Sequence, residues 1–357
     1  MWIKEIKLKN FRNYDEEKID LKENINIFYG ENAQGKTNII ESIFLCSMGK
    51  SFKTQNDKEL IKFEKEEAIV ELNFEKKDRK SDIKIQISNR KNIFLNGIKQ
   101  KKLSDLLGNL NVVLFTPEDI DILKGSPQKR RKFLNIMISQ LRPNYIYLLN
   151  LYLKTLEQRN NYLKLIKLEN KDENLLDIWD EKLAEYGEKI YKYRREFIEK
   201  IKEKIYAVHG NFTDNNEEIE IKYFSDFDSE KNFLDLLKSR RKLDIIKGFT
   251  TKGVHRDDFM IYINNKEVST YGSQGQNRSA ILSLKLSELQ VIYDEIGEYP
   301  ILLLDDFMSE LDDKRKKNFL KNIKDIQVII TCTEKITFEN FKYFLYNVSR
   351  GKVTEKN

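Results

Sequence analysis

Residues 30–37, GENAQGKT, decide the fold of this chain, because they form a complete G-x-x-x-x-G-K-[ST] phosphate loop. Glycines let the backbone N–H groups of such a loop turn inward around phosphates. Strand-like residues 25–29 precede the loop and helical spacing over 38–48 follows it, which is the context that the motif requires. The residues predicted to bind the nucleotide are Gly30, Glu31, Asn32, Ala33, Gln34, Gly35, Lys36 and Thr37.

Two of these residues have predicted chemical roles. Lys36 can reach the β- and γ-phosphates of ATP, and the Thr37 hydroxyl can ligate Mg²⁺. The helix that follows adds the positive end of its dipole. An accidental glycine-rich turn is the competing interpretation, and the flanking strand and helix disfavour it.

An apolar strand that ends in two acids, 301-ILLLDD-306, is the second motif. Asp305 is predicted to hold Mg²⁺ through water, and Asp306 to orient or deprotonate the attacking water. A buried strand capped by a turn is the alternative, but the phosphate loop favours the metal site. Adjacent carboxylates also repel each other unless a cation is nearby. The predicted catalytic residues are Lys36, Asp305 and Asp306, and the predicted metal ligands are Thr37 and Asp305.

A Ser-x-Gly-Gln turn at 273–276 opens a predicted long helix. Alone, such a turn often only caps its helix. About 30 residues before the acidic strand, however, it matches the signature motif of ABC-type ATPases. There the signature faces the γ-phosphate bound by the opposite subunit, so the motif predicts an ATP-dependent homodimer. In that dimer Ser273, Gly275 and Gln276 would close over the partner's ATP.

Composition excludes several classes of protein. Of 357 residues, 40% are hydrophobic and 34% charged, which is too apolar for a disordered chain. Two cysteines and two histidines argue against a disulfide scaffold and against histidine-based metal chemistry. Apolar runs fall far short of the ~20 residues that a membrane helix needs, so we expect a cytoplasmic protein with no membrane partner. The net charge of +6 is weak support for nucleic acid, because lysine and glutamate are mixed along the chain.

Strand-like segments at both ends and helical periodicity in the middle indicate a discontinuous α/β domain with a helical insertion. Residues 67–95 alternate as a β-meander that leads to an Asn96-Gly97 turn. Residues 145–168 and a heptad seam from Leu176 to Phe197 predict a short antiparallel helical hairpin. The predicted division is 1–115 for the first part of the head, 116–289 for a second lobe with the helical arm and signature, and 290–357 for the rest of the head.

The order of further motifs resembles the RecF family of bacterial recombination mediators, which are SMC-like ATPases. The motifs that carry the resemblance are 10-NFRNY-14, 51-SFKT-54, 116-TPEDIDILKGSPQKRRKFLN-135, 253-GVHRDD-258 and 303-LLDDFMSELDDKR-315. Together with the phosphate loop they cover essentially the whole chain. The resemblance implies an α/β fold, namely a P-loop ABC/SMC-like ATPase head with an inserted helical lobe that carries a short antiparallel helical hairpin.

The resemblance also implies a function. It is ATP-dependent DNA binding in recombinational repair and replication, with roles in gap repair and the SOS response. An ATP-closed dimeric clamp would bind single-stranded DNA and single/double-strand junctions, with ATP and Mg²⁺ as cofactors and RecO and RecR as partner proteins. Arg12 and Asn13 lie on a loop that can approach the nucleotide in SMC-like heads, which makes Arg12 a further candidate nucleotide contact, and a plain turn is the alternative.

The chain departs from its relatives at a few positions. Val254 stands where the family commonly has proline, and Asn277 where glutamine is usual. Thr331 and Thr333 occupy the region of the switch histidine of ABC transporters. Without that histidine, and with the shorter carboxylate of Asp306, we expect weak, DNA-dependent ATP hydrolysis in which ATP acts mainly as a dimerisation ligand.

A basic cluster lies at 124–132, with five cations and no acid. It predicts binding to the DNA phosphate backbone, which is independent of sequence and sensitive to salt. A solvated helix start, or an arginine that couples the helical lobe to the ATP site, are the alternatives. The candidate DNA-binding residues are Lys129, Arg130, Arg131 and Lys132. His255 and Arg256 are either functional or satisfy the acids Asp257 and Asp258.

Three other functions compete with the favoured one, and the NFRNY motif and the SMC-like order of the motifs argue against the first of them. A transporter-type ATPase subunit would share the nucleotide motifs but needs a switch histidine and a membrane partner. A nuclease of the OLD type would require an additional acidic Toprim domain. An ATP-binding clamp with negligible hydrolysis differs from the favoured function only in its catalytic step.

Overall fold

The computed structural model describes residues 1–77, 79–213, 216–227, 232–321, 323, 325–338 and 341–356. Over these residues the strands are β1 (Trp2–Phe11), β2 (Tyr14–Asp20), β3 (Ile25–Tyr29), β4 (Ala68–Lys76), β5 (Arg79–Ile87), β6 (Lys91–Leu95), β7 (Ile98–Lys99), β8 (Val112–Phe115), β9 (Ile219–Phe224), β10 (Asp258–Ile263), β11 (Lys266–Glu267), β12 (Ile301–Asp305), β13 (Val328–Cys332), β14 (Tyr343–Ser349) and β15 (Lys352–Lys356).

The α-helices are α1 (Lys36–Met48), α2 (Ile120–Lys124), α3 (Pro127–Leu141), α4 (Pro143–Glu169), α5 (Asp177–Thr213), α6 (Phe233–Lys247), α7 (Val268–Tyr271), α8 (Gln274–Ile296) and α9 (Asp313–Lys321). Short 3-10 helices span Asp57–Leu60, Leu103–Asp105, Pro117–Asp119, Glu173–Leu176, Val254–Arg256 and Phe307–Glu310. In the part of the chain that the structure describes, no helix is long and apolar enough to cross a bilayer.

The chain divides into two compact units. The first comprises Met1–Ile120, Ala207–Asn216 and Ile281–Asn357, and the second Asp121–Tyr206 and Glu217–Ala280. The division predicted from the sequence differs at its edges, because residues 116–120, 207–216 and 281–289 belong to the first unit. A hydrogen bond of 2.9 Å between the buried side chains of His209 on α5 and Ser283 on α8 explains why these two segments go together.

A mostly parallel sheet organises the nucleotide motifs of the first unit. Its strand order is β15-β14-β3-β13-β12-β8, and only β15 runs antiparallel to its neighbour. The strands β12 and β13 are buried along their whole length, as expected for strands covered on both faces. Because the carboxyl ends of parallel strands meet at one edge, the ends of β3, β13 and β12 lie side by side there.

A second, antiparallel sheet has the order β2-β1-β4-β5-β6-β7. Its strand β4 alternates between buried and half-buried residues, as one covered face requires. The predicted meander corresponds to β4, β5 and β6. Asn96 and Gly97 both adopt positive φ, at 50° and 73°, which is the geometry of the tight hairpin turn that their sequence predicts.

The predicted helical hairpin is present as α4 and α5. Helix α4 begins at Pro143, two residues before the predicted start, because proline suits the first turn of a helix. Every second position of the predicted seam is fully buried: Leu176, Leu183, Ile190 and Phe197. The seam is therefore core, as its aromatic and apolar composition indicated.

Charged residues are also buried in the second unit. Arg194 on α5 is 1% exposed and donates to the Val254 carbonyl at 2.5 Å and to Asp257 at 2.8 Å. Asp257 accepts further hydrogen bonds from Tyr223 and Ser225 at 2.5 and 2.7 Å. Asp257 is thus satisfied by a distant arginine, and among the described residues no ion pair joins it to His255 or Arg256.

His255 has a predicted effect on stability. Its ring nitrogens are engaged by the Tyr152 hydroxyl at 2.8 Å and the Thr250 carbonyl at 3.1 Å, and burial lowers its pKa to about 4. Between pH 6.5 and 4 the unfolded chain therefore binds a proton that the folded chain excludes. We expect the free energy of unfolding to fall by about 2 kcal/mol from pH 7 to pH 5 through this residue. Urea unfolding at pH 7 and at pH 5 measures this change in the free energy of unfolding.

The control for this prediction is His255→Gln, which cannot titrate. The variant is expected to show a smaller loss of stability on acidification than the wild type. Equal pH dependence in both proteins would contradict the assignment.

Candidate nucleotide-binding site

The phosphate loop occupies residues 30–35, between β3 and α1. Gly30 and Gly35 have φ of 154° and 115°, which L side chains rarely adopt. A Cβ on Gly30 would lie 2.3 Å from the Val348 carbonyl oxygen, and one on Gly35 would lie 2.6 Å from Asn13 Nδ2. Only glycine fits at these two positions, so the motif's glycines are required by backbone geometry and close packing.

Lys36 lies within the curve of the loop. Its Nζ donates to the carbonyl oxygens of Gly30 and Glu31, both at 2.7 Å. The residue is also the first of α1, so its cation and the N-terminal N–H groups of the helix are concentrated at the same place. Because no acid occupies the first turn of α1, this end of the helix is suited to an anionic phosphate.

The N-terminal NFRNY motif supports the loop. Asn13 Nδ2 donates to the Gln34 carbonyl at 2.7 Å, and the Tyr14 hydroxyl donates to the Gly35 carbonyl at 3.0 Å. Arg12 makes a different contact, because its guanidinium donates to both carboxylate oxygens of Glu41, at 2.8 and 2.7 Å. Of the two residues that the sequence places near the nucleotide, Asn13 contacts the phosphate loop directly, and Arg12 contacts α1 through Glu41.

Glu41 is a site residue that sequence reasoning missed. Its side chain is fully buried on α1, and besides Arg12 it accepts a hydrogen bond from Ser51 Oγ at 2.5 Å. Ser51 in turn accepts from the backbone of Lys53 at 2.9 Å. The carboxylate therefore connects the NFRNY and SFKT motifs. A lone acid on the apolar stretch 38–48 was the available signal, since a buried glutamate needs a partner.

The acidic motif lies at the end of β12. Asp305 is 7% exposed and its Oδ1 accepts from the Thr331 hydroxyl at 2.8 Å. Burial raises the pKa of Asp305, while hydrogen bonds from Thr331 and Thr37 and the charge of Lys53 lower it. The two predicted metal ligands, Thr37 and Asp305, are thus in hydrogen-bond contact. Their hydroxyl and carboxylate oxygens are the donors that Mg²⁺ prefers, so this pair fits the ion.

Thr331, which the sequence places in the region of the switch histidine without giving it a role, contacts both acids. Besides its bond to Asp305, its hydroxyl accepts from the Asp306 backbone N–H at 3.0 Å, and its carbonyl accepts from the same N–H at 3.2 Å. Asp306 has a φ of 53°, a left-handed conformation that aspartate tolerates better than most residues. Thr331 therefore orients both acids from the neighbouring strand β13.

The signature residues form a reciprocal cap at the start of α8. Ser273 Oγ accepts from the Gln276 N–H at 3.2 Å, and Gln276 Oε1 accepts from the Ser273 N–H at 2.9 Å. Asn277, buried, donates to the Gly272 and Ser273 carbonyls at 2.9 and 2.8 Å. These residues and Gly275 belong to the second unit, so they are a separate group from the phosphate loop and the acids. The side chains of Ser309 and Glu310, in the motif at 303–315, lie outside the described residues.

Most side chains of the basic cluster at 129–132 form hydrogen bonds or ion pairs within the protein. Arg130 is 7% exposed, and its Nε and Nη2 donate to the two carboxylate oxygens of Asp258 at 2.5 and 2.9 Å. Half-buried Arg131 donates to the Asp257 carbonyl at 2.8 Å. The structure thus corrects the assignment of Arg130 to DNA, because a buried bidentate ion pair leaves it no free donor face. Lys129 and Lys132 are exposed, and Lys129 pairs with Asp121 at 3.4 Å.

A phosphate loop after one strand of a parallel sheet, with two acids ending another strand and a capped Ser-x-Gly-Gln helix start, defines a P-loop ATPase head of the ABC/SMC type. Residues 2–355 match the family model described as the RecF/RecN/SMC N terminal domain. The chain is 46% identical over 365 residues to the DNA replication and repair protein RecF of Clostridium kluyveri, covering 99% of this chain and 100% of that protein. The chain belongs to the RecF family.

Solved structures agree. One described as the recombination mediator protein RecF with ATP in the RecFOR pathway is 41% identical, has a TM-score of 0.92, and covers 100% of this chain and 98% of its own. An Smc head bound to the C-winged helix domain of ScpA is 16% identical with a TM-score of 0.60, covering 100% and 98%, which shows a shared fold alone. The family and the fold class expected from the sequence are both confirmed.

Proposed function

We propose that the chain is an ATP-dependent DNA-binding protein of recombinational repair and replication, which closes as a homodimer around DNA when ATP is bound. The observation that carries this proposal is the identity of 46% over nearly the full chain with a relative named for DNA replication and repair. The relative in the RecFOR pathway supports RecO and RecR as partner proteins. Single-stranded DNA and single/double-strand junctions are the proposed DNA substrates.

In the proposed nucleotide site, the N–H groups of the phosphate loop and Lys36 bind the phosphates of ATP, and Thr37 with Asp305 would hold Mg²⁺. Bound Mg²⁺ neutralises charge on the β- and γ-phosphate oxygens. Asp306, whose backbone N–H donates to Thr331, would orient or deprotonate the attacking water. Glu41 keeps the supporting motifs in place around this site.

The dimer is proposed from the signature motif. The capped start of α8 presents a helix N-terminus, which attracts phosphate. In the proposed arrangement Ser273, Gly275 and Gln276 of one subunit close over ATP bound to the phosphate loop of the other. ATP then holds the two subunits together, and hydrolysis releases them and the DNA.

Replacing Ser273 by arginine tests this arrangement. We expect the wild type to shift from monomer to dimer in sedimentation velocity when ATP and Mg²⁺ are added. The variant is expected to stay monomeric, because a bulky cation at the cap breaks the contact with Gln276 and obstructs the approach of the partner. Its affinity for ATP as a monomer should be unchanged, since the phosphate loop is intact.

Ser239→Arg is the matched control. Ser239 is exposed on α6 of the same unit and has no predicted role at the nucleotide. This variant should dimerise with ATP like the wild type. Dimerisation of the Ser273 variant, or a wild type that stays monomeric with ATP, would exclude the proposed clamp.

A clamp with negligible hydrolysis is a second candidate. The observation in its favour is that Thr331 contacts the acids from β13, and the two histidines of the chain, His209 and His255, belong to other segments. Such a protein would bind ATP and dimerise, yet release phosphate no faster than the catalytically impaired variant discussed below.

A further inference from the structure

Residues 83–104 are a stretch without any acid. The segment holds six cations, whereas the average acid content of the chain would place about three or four acids in a stretch of that length. A second stretch without acids, residues 122–156, is longer and holds seven cations, among them the five of the cluster at 124–132. The two stretches differ in how many of their cations are already paired within the protein.

The segment forms the edge of the antiparallel sheet. It includes most of β5, all of β6 and the edge strand β7, joined by the Asn96-Gly97 turn. Ile98 on β7 is 69% exposed, so this edge faces solvent. An edge strand also presents backbone N–H groups that are not used within the sheet.

Two of the six cations are neutralised within the protein. Lys84 pairs with Glu71, and Lys91 pairs with Asp57, both at 2.7 Å. The other four are exposed, and among the described residues none of them has an ion pair. We call these four the basic hairpin: Arg90, Lys99, Lys101 and Lys102.

The basic hairpin differs in this respect from the helical cluster at 129–132. There, the side chain of Arg130 is bound to Asp258, and Lys129 is close to Asp121. A cation that is already paired within the protein adds little free energy of binding when a second anion approaches. An unpaired, solvated cation adds more to the binding of a polyanion, because each phosphate that it neutralises releases condensed counterions.

We propose that the basic hairpin binds the phosphate backbone of DNA. The inference rests on the proposed function and assigns the DNA-binding surface to the first unit. Lysine and arginine side chains together with edge N–H groups contact phosphates without reading bases, so binding through this surface is independent of sequence. An acidic protein surface is the other polyanion that these charges could attract, and the experiment separates the two.

The test replaces all four residues of the basic hairpin by glutamine. Equilibrium binding of the ATP-loaded protein to a duplex and to a gapped duplex is measured between 50 and 200 mM salt. Each duplex phosphate contact contributes about 0.9 to the slope of log K against log salt, so the quadruple variant should lose about 3 to 4 from that slope. We also expect at least a tenfold weaker affinity at the lower salt.

The matched control removes the same charge elsewhere. It combines glutamine substitutions at four exposed lysines of the helical hairpin, Lys154, Lys164, Lys182 and Lys192. This variant should keep most of the wild-type slope. ATP affinity and thermal melting of both variants check that the fold and the nucleotide site are intact.

The outcomes distinguish this inference from the proposed function. If the wild type binds DNA with ATP and the hairpin variant has the wild-type slope, the inference is wrong and the proposed function stands. The basic hairpin would then be assigned to an acidic protein. If the two quadruple variants lose the same slope, net charge and not the hairpin is responsible, and the inference is also wrong. A wild type that fails to bind DNA with ATP overturns both.

Discussion

Replacing Asp306 by asparagine is expected to slow ATP hydrolysis by about 10²- to 10⁴-fold, which is the range that loss of a general base produces. The physical reason is that an amide cannot take a proton from the attacking water. Asparagine tolerates the left-handed backbone of this position, at φ 53°, so the strand end and its bond to Thr331 should be kept. ATP binding and ATP-driven dimerisation should therefore persist, and the closed dimer should last longer.

Single-turnover phosphate release measures the rate, and sedimentation with ATP measures the dimer. Asp325→Asn is the matched control, because Asp325 is exposed and also has a positive φ, of 63°, in the same unit. It should hydrolyse ATP at the wild-type rate. A wild-type rate in the Asp306 variant would remove that carboxylate from the mechanism. Equally slow release in wild type and variant would favour the clamp with negligible hydrolysis.

Replacing Arg194 by leucine is expected to lower the free energy of unfolding by about 3–5 kcal/mol, as removing one partner of a buried ion pair does. The substitution leaves Asp257 buried without its cation, although Tyr223 and Ser225 still donate to it. It also removes a donor from the Val254 carbonyl. The urea-induced unfolding transition of the second unit measures this loss of stability.

The neighbouring residue supplies the control. Arg195 is exposed on the same helix, so Arg195→Leu should change stability by no more than about 0.5 kcal/mol. Because the two variants have the same composition and net charge, any difference between them reports burial alone. Similar stabilities for both variants would show that the Arg194–Asp257 pair is not needed for the fold.

Two arginine dipeptides show what could not be predicted from the sequence. In the RR dipeptides at 130–131 and 194–195, both arginines look alike in the sequence. Arg130 and Arg194 are buried against the adjacent acids Asp258 and Asp257, which lie more than 60 residues away along the chain. Helical periodicity indicates which face of a helix is apolar, but it cannot identify a buried charge, because its distant partner is brought near only by packing.

The residues of the nucleotide site also fall into those that the sequence identified and those that only the tertiary structure revealed. The phosphate loop, the acidic strand end and the signature turn were evident because each is a contiguous segment whose backbone geometry depends on its own residues. Glu41 was missed, and Thr331 was noted only as standing in the region of the switch histidine, without a role. Thr331 reaches Asp305 through the pairing of two parallel strands, and Glu41 reaches Arg12 and Ser51 through the packing of α1.

The sequence by itself determined the class of protein, the family, and the strands and helices that carry the nucleotide motifs and the helical hairpin. These depend on local periodicity, on glycines with special backbone angles, and on motifs read within a few residues. The tertiary structure alone decided which cations are paired and which remain available to a polyanion. Desolvation and ion pairing depend on residues far apart in the chain. The cations of the predicted cluster at 129–132 therefore proved to be mostly paired within the protein, whereas those of the basic hairpin are exposed and unpaired among the described residues.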